Sequence, residues 1–155
     1  MNYLGIDPGQ SGGIAVLGAN GAHEAWPMPK TERDVWMLLD ENIGGPISVL
    51  DDFALIEAVH SFPGQGVASS FKFGMSYGGL RMALTAAGIP FEEITPQQWQ
   101  RALGIKPRQR KKGESKTQFK NRLKAKAQQL FPDVKMTLAI CDALLIAEVC
   151  RRMRT

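Results

Sequence analysis

Apolar residues occur along the chain either in short continuous runs or at helical spacing, and the two patterns alternate. The runs predict five strands, at residues 2–7, 14–17, 22–27, 53–57 and 89–94. Asn20-Gly21 is typical of the tight turn between two antiparallel strands. The run at 53–57 is apolar at its first four positions, which indicates a strand buried on both faces of a sheet. We therefore expect a five-stranded sheet whose first three strands form an antiparallel meander.

Helical spacing predicts five helices, at residues 31–42, 67–87, from 96 onward, 115–130 and 136–152. Thr95-Pro96 is a strong start signal, with Thr95 as the N-cap and Pro96 at the first helical position. The order of elements predicts an α/β fold in which parallel strands extend the meander into a mixed sheet flanked by helices. Such a fold can bring the ends of the first and fourth strands together against the last helix. We expect one domain over residues 1–155.

Three carboxylates stand in apolar surroundings. Asp7 and Glu57 end two of the predicted buried strands, and Asp142 lies on the apolar helix near the end of the chain. Removing such acids from water is costly unless a cation compensates, and hard oxygen ligands suit Mg²⁺ or Mn²⁺. The pattern predicts a metal-dependent phosphoryl-transfer site. Taken one at a time, each acid could instead serve a turn, a helix cap or a salt bridge.

Charge is distributed unevenly along the chain. Residues 1–100 carry 4 Lys or Arg and 11 Asp or Glu, whereas residues 101–155 carry 15 and 4. Between Lys106 and Lys126 there are ten basic residues, opposed by Glu114 alone. This polarity indicates an acidic, metal-binding pole and a cationic surface for a polyanion such as nucleic acid. A solvated, lysine-rich helix face is the alternative.

Composition predicts an intracellular protein with no membrane segment. No apolar run approaches the roughly 20 residues needed to span a bilayer, and no signal peptide is visible at the start of the chain. Cys141 and Cys150 lie nine residues apart on one predicted helix, where they cannot form a disulfide. We expect a reducing, cytoplasmic setting, in a bacterium or in a phage-infected host cell.

Longer motifs surround the three acids. In chain order they are Gly5-Ile6-Asp7-Pro8-Gly9-Gln10-Ser11-Gly12-Gly13, Ile56-Glu57-Ala58-Val59-His60, the stretch from Pro63 to Gly74, Thr95-Pro96-Gln97-Gln98-Trp99 and Asp142-Ala143-Leu144-Leu145-Ile146-Ala147-Glu148. In these motifs the chain resembles the ribonuclease H-like superfamily and, within it, the RuvC-type Holliday junction resolvases, in particular the small RuvC-like proteins of phages. The motifs extend over nearly the whole chain.

The resemblance implies a ribonuclease H-like fold and a homodimeric endonuclease that cuts four-way junctions and related branched DNA. It also implies two Mg²⁺ or Mn²⁺ ions in each site, with Asp7 binding both ions, Glu57 one and Asp142 the other. A symmetric dimer would present two sites to opposed strands of a junction. We also expect no membrane partner, because no apolar run is long enough to span a bilayer, and no nucleotide cofactor.

One departure from the family pattern concerns a fourth metal ligand. The family usually has an Asp or a His about one helical turn before the position of Asp142, where this chain has Thr137, Leu138 and Ala139. Water, another group such as Asp133, an introduced substitution at Ala139 or a weak nuclease would each account for this. The alternative function is therefore a branched-DNA binding protein with weak or vestigial nuclease activity.

A nucleotide-binding ATPase of the same superfamily is a third candidate function. The continuous basic segment and the absence of a duplicated half argue against it. The glycine-rich turn at residues 9–13 is followed by no P-loop lysine. We expect this turn to be a hairpin that needs positive φ at several positions.

The resemblance and the basic segment together give the candidate DNA-binding residues. They are His60, Phe62, Gln65, Ser69, Lys112, Lys116, Lys120 and Arg122. An aromatic ring at His60 or Phe62 could stack on an unpaired base, and the lysines and Arg122 would contact phosphates. The resemblance places one lysine close to the scissile phosphate, and Lys112 and Lys116 are equal candidates for that role.

The long helix at 67–87 is apolar on most of its surface. We expect most of its large apolar residues to be core, and close packing to offset its glycines. The residues concerned are Phe71, Phe73, Met75 and Tyr77, with Gly74, Gly78 and Gly79. We expect the long helix and the last helix to form the dimer contacts. Trp99 is expected to anchor the helix that follows Pro96.

Overall fold

The computed structural model describes residues 1–43, 52–60, 64 and 66–155. The strands are β1 (Asn2–Asp7), β2 (Gly13–Gly18), β3 (His23–Pro27), β4 (Phe53–Glu57) and β5 (Phe91–Ile94). The helices are α1 (Glu32–Ile43), α2 (Val67–Ala86), α3 (Pro96–Ala102), α4 (Lys116–Leu130) and α5 (Leu138–Arg154). All the expected elements are present. β5 begins two residues later than expected, after Pro90, which has no N–H to donate to a neighbouring strand.

The strands form one mixed sheet in the order β3-β2-β1-β4-β5. β1, β2 and β3 are antiparallel neighbours, whereas β4 is parallel to both β1 and β5. The expected meander extended by parallel strands is confirmed. In the register of β1 and β4, Ile6 lies opposite Ile56, so the next residues, Asp7 and Glu57, emerge side by side from the sheet.

Alternation along the strands gives the sheet two buried faces. Leu4, Ile6 and Ile56 point to one face, where they pack with apolar residues of α1 and α2. Tyr3 and Leu55 point to the other face, where they pack with α3, α4 and α5. Asp7 and Glu57 follow the second set in the alternation, and they therefore lie on the face that α5 covers.

α5 approaches β1 very closely at Gly5. A Cβ atom at Gly5 would lie 2.2 Å from the carbonyl oxygen of Ala143 and 2.2 Å from the amide nitrogen of Ala147. Contacts of that length are impossible, so the absence of a side chain at Gly5 sets the distance between helix and strand. Because Asp142 precedes Ala143, the same contact fixes the height of Asp142 above the end of β1.

α2 differs from expectation. Phe71 is 67% exposed and Met75 is 55% exposed, so the expectation that most of the large apolar residues of α2 are core was wrong for these two. Cβ atoms at Gly74 or Gly78 would meet nothing within 4 Å, so no packing among the described residues offsets these glycines. A helix that is apolar on most of its surface gives no signal of which side faces its own core.

α5 is buried from Ile140 to Cys150 between the sheet and α4. It therefore has no free face over those residues, and the expectation that α5 forms dimer contacts does not hold there. None of the helices in the described ranges is both long enough and apolar enough to cross a lipid bilayer.

Candidate active site

The site lies where β1 and β4 end beneath α5. Asp7 and Glu57 are half-buried at the ends of their strands, and Asp142 is buried, with 4% of its surface exposed. Gly12 closes the turn above Asp7, where a Cβ atom would lie 2.0 Å from the Asp7 carbonyl oxygen. In the turn at residues 9–13 only Gly9 has positive φ, so Gly12 is required for close approach and not for its backbone angles. This corrects the expectation of several positive φ values.

Both oxygens of the Asp142 carboxylate have donors from neighbouring residues. The Lys120 ammonium of α4 forms an ion pair with Oδ2. The Cys141 thiol donates to Oδ1 over 3.2 Å and lies 3.5 Å from the Leu138 carbonyl oxygen. Burial and the neighbouring Asp142 raise the pKa of the Cys141 thiol to about 12, so it remains a protonated donor.

Glu57 is held in place by Trp99. The indole Nε1 of Trp99 donates to Oε2 of Glu57 over 2.7 Å. Trp99 is 1% exposed, and the helix that carries it begins with a capping box formed by Thr95 and Gln98. The expected anchor role of Trp99 is confirmed. Its hydrogen bond to Glu57 was not foreseen, because residues 42 positions apart meet only through the β4–β5 pairing.

Asp7 and Glu57 both have raised pKa values, and the charge of Asp142 contributes to each. Burial, followed by the charges of Glu57 and Asp142, raises the pKa of Asp7 from 3.8 to about 7, against a smaller opposing effect of Lys120. Burial also raises the pKa of Glu57, and the Trp99 hydrogen bond opposes the change. These couplings show that the three carboxylates share one small region. Lys120 is the cation that affects both groups.

The donor set suits a divalent ion. None of the described residues donates a hydrogen bond to the Asp7 carboxylate, although it lies beside two further acids. Oxygen ligands around a region with excess negative charge are what Mg²⁺ and Mn²⁺ prefer. Within the described ranges, however, no three His, Cys, Asp or Glu side chains are already arranged to enclose an ion. Two of the three acids have protein partners instead. Asp142 binds Lys120, and Glu57 accepts a hydrogen bond from Trp99.

The turn before Asp142 supplies no further ligand. Thr137 is the N-cap of α5, Leu138 is 47% exposed, and Ala139 presents its carbonyl oxygen towards Gly13. Asp133 is excluded as a substitute. It binds Nε2 of His23 over 2.9 Å at the opposite end of the sheet, because His23 pairs with Leu17 while Gly13 pairs with Asp7.

Glu148 is excluded as well, because its buried carboxylate binds Arg151 over 2.9 Å and Arg152 over 2.7 Å. It points away from Asp142, as its helical spacing predicts.

The structure describes six of the eight candidate DNA-binding residues. Exposed side chains are found at His60, three residues after Glu57, at Ser69 on α2, and at Lys112 and Lys116 on the basic segment. Lys120 is turned towards Asp142. Phe62 and Gln65 lie outside the described residues.

Arg122, on α4, is bound to the loop that precedes the helix. Its Nε donates to Oε1 of Glu114 over 2.9 Å, and Nη2 donates to Oε2 of Glu114 and to the Lys106 carbonyl oxygen. Glu114 also accepts from the amide of Gln109, and the Arg122 hydrogen bond lowers the pKa of Glu114. Arg122 therefore orders the loop that carries the exposed lysines. A phosphate-binding role for Arg122 itself would require it to leave these contacts.

Comparisons with known proteins identify the fold. No protein-family model and no curated protein sequence matches the chain. The structure of Thermus thermophilus RuvC in complex with Holliday junction substrate superposes with a TM-score of 0.64 at 18% identity, covering 99% of this chain and 96% of the other. The fold is that of RuvC. A second Thermus thermophilus RuvC structure superposes with a TM-score of 0.59, at 18% identity and with the same coverage. The expected ribonuclease H-like fold is confirmed.

A substitution at Trp99 tests whether its hydrogen bond orients Glu57 for metal binding. We expect Trp99→Phe to weaken Mn²⁺ binding by about 10- to 100-fold, because groups that orient metal ligands contribute on that scale. Isothermal titration calorimetry measures the effect. Trp36→Phe is the matched control, since Trp36 is 37% exposed on α1. Equal Mn²⁺ affinity in the two variants would show that Trp99 does not orient Glu57 for a metal.

Proposed function

We propose that the protein is a divalent-metal-dependent endonuclease that resolves four-way DNA junctions and related branched DNA. The observation that carries this proposal is the meeting of Asp7, Glu57 and Asp142 under α5 in a RuvC fold, beside a basic helix. The structural neighbour bound to Holliday junction substrate supports branched DNA as the substrate class. Mg²⁺ or Mn²⁺, two ions per site, is the proposed cofactor.

The residues of this chain then have separate roles. Asp7, Glu57 and Asp142 would hold the metal, which when bound supplies Lewis acidity to activate water and to stabilise the leaving oxygen. Trp99 keeps Glu57 in position through its 2.7 Å hydrogen bond. The Cys141 thiol does the same for Oδ1 of Asp142. Supporting contacts of this kind keep the ligands near the productive arrangement.

DNA binding is proposed for the basic segment and for the loop after Glu57. Lys112 and Lys116 would contact phosphates, which contribute affinity and position but little sequence information. Arg122 would act through Glu114, by ordering the loop that precedes α4. His60 is exposed close to the site and could stack on an unpaired base at the branch point. Phe62, Gln65 and Ser69 complete the proposed contacts.

A cleavage assay tests the proposal. A labelled four-way junction and a linear duplex of the same sequence are incubated with Mg²⁺, with Mn²⁺ or with EDTA. We expect paired nicks in opposed strands of the junction, in either metal, and intact duplex throughout. Cleavage of duplex and junction at equal rates would contradict the junction specificity, and cleavage in EDTA would contradict the metal dependence.

A branched-DNA binding protein with weak nuclease activity is the second candidate. The absence of a ligand side chain at Thr137, Leu138 and Ala139 favours it. Tight junction binding without nicks in either metal would support this alternative. Ala139→Asp would then be the substitution to restore cleavage, since it returns a carboxylate to the turn before Asp142.

The exposed side of α2 is the proposed dimer contact. Val67, Phe71, Met75 and Met82 are each more than half exposed, and with Gly78 they form one side of the helix, the α2 apolar stripe. The open space at Gly78 would let a second helix approach closely. An exposed apolar stripe of this kind is typical of an interface between protein chains.

Charged substitutions in the α2 apolar stripe should separate the dimer. We expect the double variant Phe71→Glu, Met75→Glu to sediment as a 17.0 kDa monomer under conditions where the wild type sediments at twice that mass. Met153→Glu is the control, since Met153 is 57% exposed at the end of α5, away from the stripe. A double variant that still sediments at the dimer mass would place the interface elsewhere.

A further inference from the structure

The contact between Lys120 and Asp142 joins the proposed DNA surface to the proposed metal site. Lys120 lies on the second turn of α4, with 46% of its side chain exposed, whereas the Asp142 side chain is 5% exposed. The ammonium therefore reaches from the solvent side to a carboxylate that is almost wholly buried.

The ion pair occupies a position that a metal ion needs. Oδ2 of Asp142 accepts from Lys120, and Oδ1 accepts from the Cys141 thiol. Each oxygen keeps a second lone pair, but a divalent ion that binds Asp142 would lie close to the Lys120 ammonium. Two cations in contact with one carboxylate repel each other, so metal binding favours departure of the ammonium. The Cys141 thiol is uncharged and buried on the same helix turn, so no such repulsion acts on it.

The Lys120 side chain can move outwards from Asp142, towards solvent. Nearly half of its side chain is exposed, and Lys116 lies one helical turn before it on the same helix, also exposed. An ammonium that swings outwards from Asp142 reaches the surface proposed to bind DNA phosphates. Lys112 lies on the preceding 3₁₀ turn, Arg110–Lys112, and extends the same cationic segment.

We propose that Lys120 is the internal counter-ion of the metal site, which competes with divalent metal for Asp142 in the DNA-free protein and is transferred to a DNA phosphate when metal binds. This inference rests on the proposed function, because it needs metal at Asp142. The transfer of Lys120 would make metal binding and DNA binding mutually favourable. Metal displaces Lys120 from Asp142, and a DNA phosphate that binds Lys120 keeps it away from Asp142. By linkage, metal must then strengthen DNA binding by the factor by which DNA strengthens metal binding.

Mn²⁺ titration of the DNA-free protein tests the competition. Free Mn²⁺ is measured by electron paramagnetic resonance in the wild type, Lys120→Gln, Lys120→Arg and Lys124→Gln. Lys124→Gln is the matched control, because it removes the same charge from the same helix one turn away and Lys124 has no ion pair among the described residues. Thermal melting of each variant in EDTA shows that all are folded.

We expect Lys120→Gln to bind Mn²⁺ about tenfold more tightly than the wild type, and Lys124→Gln to bind within about twofold of it. Lys120→Arg keeps a cation at Asp142 and should remain close to the wild type. Equal Mn²⁺ affinity in Lys120→Gln and Lys124→Gln would overturn the counter-ion role. Tight binding by Lys120→Arg would overturn it too, because the effect would then not depend on charge.

Junction binding tests the transfer to DNA. Fluorescence anisotropy of a labelled junction is measured in EDTA and in Ca²⁺, and a denaturing gel of the same samples shows that the junction is uncut. Ca²⁺ should strengthen junction binding about fivefold in the wild type and less than twofold in Lys120→Gln. An equal gain in both proteins would show that Lys120 is not transferred.

The outcomes separate this inference from the proposed function. Saturable Mn²⁺ binding and junction cleavage by the wild type, with no gain in Lys120→Gln, would leave the nuclease standing and remove the counter-ion. Tighter Mn²⁺ binding by Lys120→Gln, with no junction cleavage by the wild type, would support the counter-ion role and contradict the nuclease activity. Absence of Mn²⁺ binding in every variant would remove the metal site on which both proposals rest.

Discussion

Asp7→Asn is expected to lower the rate of junction cleavage by about 10³-fold or more and to leave junction binding intact. The substitution removes a charged metal ligand without changing side-chain size, and metal chemistry supplies several kcal/mol of transition-state stabilisation. Cleavage and binding are measured on the same labelled junction, the former in Mg²⁺ and the latter in EDTA. Asp133→Asn is the control, because Asp133 pairs with His23 at the opposite end of the sheet. Cleavage by Asp7→Asn at the wild-type rate would show that the site assignment is wrong.

The same variant should be more stable than the wild type in the absence of metal. The pKa of Asp7 is about 7 in the folded protein against 3.8 as its ordinary value, so the folded state binds the proton more tightly. The stability that this group contributes is complete below about pH 4 and is lost as the pH rises through 7. Asparagine has no such dependence. In EDTA at pH 8 we therefore expect Asp7→Asn to have the higher Tm, and the difference to vanish at pH 4.

Gly5→Ala should disrupt the packing of α5 on the sheet. The added Cβ would lie 2.2 Å from two backbone atoms of α5, at Ala143 and Ala147, and a helix backbone cannot yield locally as a flexible side chain can. We expect a loss of about 3 kcal/mol in the free energy of unfolding, seen as a fall in Tm of about 10 °C. Cleavage should fall as well, because α5 carries Asp142. Differential scanning calorimetry and the junction assay measure the two effects.

Gly79→Ala is the matched control for Gly5→Ala. Gly79 lies on α2, where a Cβ would have its nearest contact at 3.5 Å from Glu32, an ordinary van der Waals distance. Alanine is favoured over glycine inside a helix by about 1 kcal/mol, so the Tm of this variant should not fall. If Gly5→Ala melts at the same temperature as Gly79→Ala, the approach of α5 to β1 is looser than the structure indicates.

The fold and the positions of the three acids could be predicted from the sequence because both depend on short-range patterns. An apolar run that ends in an acid places that acid at a strand end, and the order of the elements sets the strands side by side. Asp7 and Glu57 follow from these two facts. The place of Asp142 depends further on Gly5, whose role is visible only once α5 lies on β1.

The contacts that support the site could not be predicted, because they join residues far apart in the chain. Trp99 and Glu57 are 42 positions apart, and Lys120 and Asp142 are 22 apart. Any of the ten basic residues between Lys106 and Lys126 could have approached the acids by charge alone. The face that α4 turns towards α5 selects Lys120, and that face is set by the buried Leu123 and Ala127.

The structure differs from the sequence predictions at α2 and at Arg122. In both places the sequence pattern does not show which groups a side chain contacts in the folded protein. Apolar residues on most of the α2 surface conceal which side is exposed, so Phe71 and Met75 were expected to be buried. Arg122 is predicted to contact phosphates because a run of charges does not show which basic residues already have an acidic partner. Glu114 is the single acid between Lys106 and Lys126, and in the folded protein it forms an ion pair with Arg122.

Anomalous scattering from crystals soaked in Mn²⁺ would test the metal site most directly. If Asp7, Glu57 and Asp142 bind the metal, the anomalous difference map will show a peak among these three carboxylates, and the peak will be absent from Asp7→Asn crystals treated in the same way. A map with no peak at saturating Mn²⁺, or with its peak elsewhere in the protein, would contradict the proposal that these acids form the nuclease centre.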